Sequence, residues 1–177
     1  MAVKIYRLTG TANEGEATTY TDITSINTRL NAEDAHSTAG ETNPILIPAE
    51  GTNYSYKCST QLGWDGTTGD GTINNLKWYT DGANGLGTGV GLQVVSSSDT
   101  YVQATGTVGT SGVNIDGTHA FNYTSTSPLS VTGSVTDPTD GEKFGNIVEI
   151  QTTVDSTASA GATNSETITW RYDSTIA

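Results

Sequence analysis

Hydrophobic and polar residues alternate along much of this chain with a period of two. The clearest stretch runs from Thr72 to Ser96. There Leu76, Trp78 and Thr80 alternate with Asn75, Lys77 and Tyr79, and Val90, Leu92 and Val94 alternate with Gly91, Gln93 and Val95. Such alternation turns one set of side chains to a core and the other outward. Between the two runs lies Asp81-Gly82-Ala83-Asn84-Gly85-Leu86-Gly87, rich in residues that accept positive φ. The pattern predicts a hairpin, with Trp78 at the centre of the core.

The rest of the chain reads in the same terms. Val3 to Leu8 predicts a strand with Val3, Ile5 and Arg7 on one face, and the polar Gly10 to Thr19 predicts a loop. Tyr20 to Leu30 predicts a weaker strand whose Ile23 and Ile26 fall out of phase, the mark of a bulge or break. Asn31 to Pro44 reads as a long polar surface loop with room for one helical turn at Ala32 to His36, and Ile45 to Pro48 as a short extended piece. Further strands are predicted at Asn53 to Leu62, Tyr101 to Val108, His119 to Thr124, Asn146 to Asp155 and Ser165 to Tyr172, with glycine-rich or Ser/Thr-rich turns between them. No segment carries a helical period. Strands about ten residues apart with turn signals between them predict an all-β, antiparallel two-sheet β-sandwich. Immunoglobulin-like and jelly-roll versions share these signals, as does a partly closed barrel. Trp78 and Trp170 are expected to form two halves of one core. The pattern becomes regular near Gly51. Residues 1–50 are therefore read as N-terminal strands and an extended arm of the same domain, and residues 51–177 as the sandwich core.

Composition sharpens this picture. The 177 residues suit one domain, and the hydrophobic fraction of 33% fits strands whose outer positions are filled by Thr and Ser. The formal net charge of −12 disfavours nucleic acid and anionic membrane as partners, because no basic patch is present to neutralise phosphates. The single cysteine, Cys58, excludes an intrachain disulfide and falls on an inward strand position, so a buried, inert thiol is expected. MAVKIYRLTG lacks the apolar run of a secretion signal, and no stretch approaches membrane-spanning length. Synthesis in a cytoplasm is expected, with release by a route such as lysis.

Candidate chemistry is sparse. Asp65, Asp70 and Asp81 sit in glycine-rich loops where turn formation competes with calcium binding. His36 and His119 form no local metal motif; His36 is expected in solvent and His119 half-buried at a strand start. Glu149 and Glu166 are placed on solvated strand faces, not as paired catalytic carboxylates. Asn53-Tyr54-Ser55 and Asn122-Tyr123-Thr124 match the glycosylation sequon. An exposed Trp64 with Tyr79 would make a sugar-stacking platform, but aromatics packed on a neighbouring loop or subunit are the expectation. No nucleophile elbow is present. No catalytic, cofactor-binding or metal residues are assigned, and no cofactor is implied.

Asn75-Leu76-Lys77-Trp78-Tyr79-Thr80-Asp81-Gly82, Leu86-Gly87-Thr88-Gly89-Val90, Phe121-Asn122-Tyr123-Thr124-Ser125 and Glu166-Thr167-Ile168-Thr169-Trp170-Arg171-Tyr172-Asp173 resemble virion-associated β-sandwich proteins of tailed bacteriophages. The resemblance spans roughly Asn53 to Asp173. It implies a non-enzymatic capsid decoration (cement) or tail-surface protein, assembled into a virion in the host cytoplasm. The implied partners are the major capsid protein or other virion proteins, and the implied state is a homo-oligomer. A self-assembling tail-tube subunit and a carbohydrate-binding module are the alternatives.

Overall fold

The computed structural model describes residues 2–38 and 42–176. Strand β1 (Ala2–Asn13) turns back through Glu14 and Gly15 into β2 (Glu16–Asp22). Both turn residues have positive φ, 50° and 86°, and Asn13 pairs with Glu16, so this is a two-residue type I′ hairpin. The segment Gly10 to Thr19, expected as a loop, is thus mostly strand. Its Thr-rich ends are largely exposed, so no hydrophobic alternation marked it. The strand expected at Tyr20 to Leu30 instead ends at Asp22, whose carboxylate accepts hydrogen bonds from the Thr24 N–H and hydroxyl and turns the chain away.

After residues 23–51, which hold no strand among the described positions, come β3 (Thr52–Tyr54), β4 (Cys58–Asp65), β5 (Thr72–Tyr79) and β6 (Val90–Ser96). Four short strands follow, β7 (Gly106–Thr107), β8 (Ser111–Gly112), β9 (Thr118–His119) and β10 (Leu129–Ser130), with one 3-10 turn at Ala120–Asn122. The chain ends with β11 (Val135–Thr136), β12 (Lys143–Asp155) and β13 (Thr169–Ser174). The fold is all-β and the ladders are antiparallel. The larger sheet has the order β2-β1-β4-β12-β6-β9, with β3 also beside β12. In the smaller sheet β5 is central, with β10 and β11 on one side and β13 on the other.

The two sheets share one core. Cys58, Leu62 and Trp64 of β4, Leu92 and Val94 of β6, and Val148 and Ile150 of β12 meet Ile73, Leu76 and Trp78 of β5. Trp78 is fully buried, as the alternation required. Trp170 lies directly opposite it on β13, so the two tryptophans share the core as register partners within one sheet. The expected Thr72–Ser96 hairpin is not formed. β5 belongs to the smaller sheet and β6 to the larger, and residues 80–89 carry the chain across the core between them. The apolar faces of the two strands therefore meet across the core instead of lying side by side. Local alternation is identical in both arrangements.

The larger sheet is also covered on its other side. Leu8, Tyr101 and Ile147 form a second cluster there, capped by Tyr6 and Tyr20. Gln151, fully buried, fixes the covering strap: its Nε2 donates to the Ser55 and Val113 carbonyls, and its Oε1 accepts from Gln93 Nε2 and the Ile115 N–H. The expected strand at Tyr101 to Val108 is part of this strap and contributes only β7. Likewise His119 to Thr124 forms the end of β9 and the 3-10 turn, not a continuous strand.

β12 slips register against β4 between Phe144 and Val148, at a bulge containing Gly145 (φ 74°). A Cβ on Gly133 would sit 2.4 Å from the Gly145 Cα. Gly133→Ala is expected to lower stability by about 3 kcal/mol or more, combining left-handed strain with overpacking against backbone. Gly141→Ala, at φ +80° with nothing within 4 Å, is expected to lower it by only about 1–2 kcal/mol. Urea midpoints of the two variants, compared side by side, check the difference.

Candidate functional site: an apolar cleft between the sheets

The larger sheet is six strands wide along its main path and the smaller three. Part of the larger sheet's inner face is therefore roofed by loops instead of strands. Beneath them lies a cleft of about 830 Å³. Its floor is Ile5 of β1, Cys58 and Thr60 of β4, Leu92 of β6, and Ile150, Thr152 and Val154 of β12. Ile168 and Trp170 form one wall. Segments 23–31 and 44–47 form another, and the small-residue loop 158–167 completes the lining. Ile26, Leu46 and Ile47 on the rim are 48%, 50% and 38% exposed, unusual values for large aliphatic side chains around one opening.

Charged side chains are few in the cleft. Among the described lining residues only Arg29 and Glu166 are charged. Arg29 Nε donates to the Thr38 carbonyl, and Glu166 Oε1 accepts from the Gly85 N–H at 2.7 Å. Glu166 thus ties the 80–89 crossover to the loop before β13. Cys58, 1% exposed, is as buried as its strand phase indicated. Burial pushes its thiol up, Arg7 opposes this and Asp34 adds to it. The thiol is expected to resist a disulfide reagent at pH 8 at least about a hundredfold longer in the native protein than in denaturant. A colorimetric thiol titration with and without urea measures this.

Behind the second wall sits a buried polar cluster that holds segment 28–38 against β1. Arg7 is 1% exposed, and its Nη1 donates to Thr28 Oγ1 at 2.6 Å and to the Arg29 carbonyl at 2.8 Å. Thr28 Oγ1 also meets His36 Nδ1 at 3.1 Å. Asp34 Oδ2 accepts from the Gly10 N–H and from Gln103 Nε2. Asn31 Nδ2 donates to Glu33 and to the Thr42 carbonyl. The stretch Asn31 to Pro44, expected as a solvated loop, is therefore folded inward over much of its described length. Residues 39–41 of it lie outside the described residues. Ala32 is fully buried, and bends at Ala32 to Ala35 stand in place of a helical turn. His36 is half-buried instead of solvated, and burial and Arg7 together lower its affinity for a proton.

Burial raises the Asp34 carboxyl above the ordinary carboxylate range, against the opposing Gly10, Gln103, Arg7 and Lys57 contributions. The folded protein then binds this proton more tightly than the unfolded chain does. Its contribution to stability is greatest below the unfolded value and falls as pH rises through the folded one. Asp34→Asn is therefore expected to gain stability relative to the parent as pH rises from 3 to 7. Urea unfolding of both proteins across that range checks the trend.

The other residues singled out in the sequence are scattered. Asp65 and Asp70 lie at the Thr72 end of β5 and Asp81 beyond its opposite end, so the three do not converge. Asp65 approaches Lys4 at 3.6 Å, and the Asp81 carboxylate accepts from the Ala83 N–H. No group of metal-ligating residues is found among the described positions. His119 is exposed beside Phe121, not half-buried, because its strand stops after two residues. Glu149 is not on a solvated face: its side chain is 12% exposed and paired with Lys57. Trp64 is 4% exposed with its indole N–H donating to the Thr67 carbonyl, so it packs on its own loop and forms no stacking platform. Tyr79 is half-buried, with the Arg171 guanidinium 5.9 Å from its ring. Asn53 of the first sequon donates to the Leu46 carbonyl, and Asn122 of the second is exposed. Arg7, Asn31, Asp34 and Gln151 were not singled out. Only Arg7 left a signal, a charge in phase with Val3 and Ile5 on an apolar face.

Comparison with protein-family models, with curated proteins and with solved structures finds no match to this chain.

Proposed function

We propose that this chain is a non-enzymatic structural protein of a tailed-bacteriophage virion, a capsid decoration (cement) protein that binds the capsid lattice. The observation that carries the binding part is the apolar cleft. Its rim exposes Ile26, Leu46 and Ile47, and its two charged lining residues are already engaged. Such a surface gains free energy by being covered. The virion part rests on the resemblance carried by Asn75 to Gly82, Phe121 to Ser125 and Glu166 to Asp173. On this reading the two sheets make a sandwich of immunoglobulin-like or jelly-roll type. Residues 1–50 supply its N-terminal strands and arm, the protein acts as a homo-oligomer, and its partner is the major capsid protein, not nucleic acid or membrane.

Sedimentation with particles assembled from the major capsid protein of the same genome tests this. The parent chain is expected to travel with the particles, and the double variant Ile26→Glu/Leu46→Glu to remain in the supernatant. Deleting residues 1–48 would be a poor test, since it strips β1 from β4 along Ala2 to Leu8. Tubes of the pure protein in negative stain would replace decoration with a tail-tube role. Specific hits on a glycan array would replace it with carbohydrate binding.

A further inference from the structure

The smaller sheet ends in an unpaired edge that borders the cleft. The Val131 N–H donates to the Leu76 carbonyl, and the Thr80 N–H to the Tyr123 carbonyl. The backbone groups of Leu76, Trp78 and Thr80 therefore point toward β10, and those of Lys77 and Tyr79 toward β13. Arg171 and Thr169, opposite Lys77 and Tyr79, direct their own backbone groups to β5. Trp170, opposite Trp78, directs its N–H and carbonyl to the other side, where no described residue pairs with them. The Trp170 side chain, in turn, lines the cleft.

We propose that this edge and the cleft together take one extended segment of a partner protein as an added strand beside β13. The exposed edge at Trp170 supplies main-chain hydrogen bonds, and the aliphatic floor receives every second side chain. β13 keeps an unbroken register on β5 from Thr169 to Arg171 before a shift at Arg171/Asp173, so the added strand is centred on Trp170. The lining selects neutral, apolar side chains at the inward positions. The formal net charge of −12 favours a segment flanked by lysine or arginine. The inference rests on the capsid-binding reading only for the identity of the partner.

The test follows amide hydrogen exchange of the full ¹⁵N-labelled chain during titration with three peptides. One has an alternating valine–threonine core, as long as β13, between lysine pairs. The second places the same core between glutamate pairs, and the third is the lysine peptide with a central proline. The lysine peptide is expected to slow exchange of the Trp170 amide at least tenfold, more than the glutamate peptide does, while the proline peptide leaves it unchanged. Leu46→Lys, at an exposed rim position, is expected to keep the native spectrum and weaken the lysine peptide about tenfold. Unslowed exchange at Trp170, or equal binding of the proline peptide, would overturn strand docking. Slowing that rises with protein concentration without peptide would overturn the choice of occupant in favour of a second copy. Peptide binding without particle sedimentation removes the capsid reading and keeps the docking site; sedimentation without peptide binding does the reverse.

Discussion

Trp78→Ala is expected to lower the free energy of unfolding by about 3–5 kcal/mol, a large share of the 5–15 kcal/mol typical of a domain. Trp78 is fully buried at the centre of the smaller sheet and packs edge-on against Tyr123, with ring centroids 6.4 Å apart. It also touches the core contributed by the larger sheet. Its indole N–H is buried with no hydrogen-bond partner among the described groups. Trp78→Phe removes that unmatched donor along with part of the ring, so its loss is expected to stay near about 1–2 kcal/mol. Urea unfolding of the two variants separates the packing of the ring from the penalty on its nitrogen. A phenylalanine variant as unstable as the alanine one would show that the indole outline, not apolar burial in general, fits the site.

Arg7→Ala is expected to have an effect of similar size, about 3–5 kcal/mol, for a different reason. The guanidinium is buried on the apolar face of β1 and donates to Thr28 and to the Arg29 carbonyl. Removing it leaves those acceptors unmatched and takes a compensating charge from Asp34. Arg7→Met keeps most of the buried stem and is expected to be milder than Arg7→Ala. Loss of Arg7 also releases segment 28–38, whose first residues, Thr28 to Asn31, line the cleft. Exchange protection at the Asn31-bonded Tyr56 amide is therefore expected to fall more than protection in β12. Thermal unfolding gives the size of the effect, and residue-resolved exchange shows where the protein opens.

These two residues mark where sequence reading succeeds and where it stops. Trp78 was legible because a period-two pattern in one strand is enough to assign a buried face. The same holds for Leu76, Cys58, Leu92, Val148 and Ile150, all inward by alternation and all in the shared core. Arg7 showed the right face but not its burial. Its partners are 21 and 22 positions away, in a segment that looks solvated because it is polar. The β1–β2 hairpin was missed for a related reason. Its Thr-rich strands carry little apolar contrast, and Glu14 adopts positive φ without the residue type that usually signals it.

The sequence by itself determined an all-β chain of antiparallel strands, the inward faces of the main strands, the burial of Cys58 and the acidic character of the surface. Those properties are local or compositional, so a window of a few residues carries them. Only the tertiary structure decided that β5 and β6 lie in different sheets, that Trp78 and Trp170 are neighbours across one ladder, and that polar segment 28–38 packs on Arg7. It alone decided that a four-stranded sheet faces a seven-stranded one, leaving Trp170 at an edge that no described residue pairs, beside an apolar cleft. Strand pairing and sheet width depend on which distant strands compete for the same backbone hydrogen bonds and the same buried area. That competition is settled across the whole chain, and no single stretch of residues records its outcome.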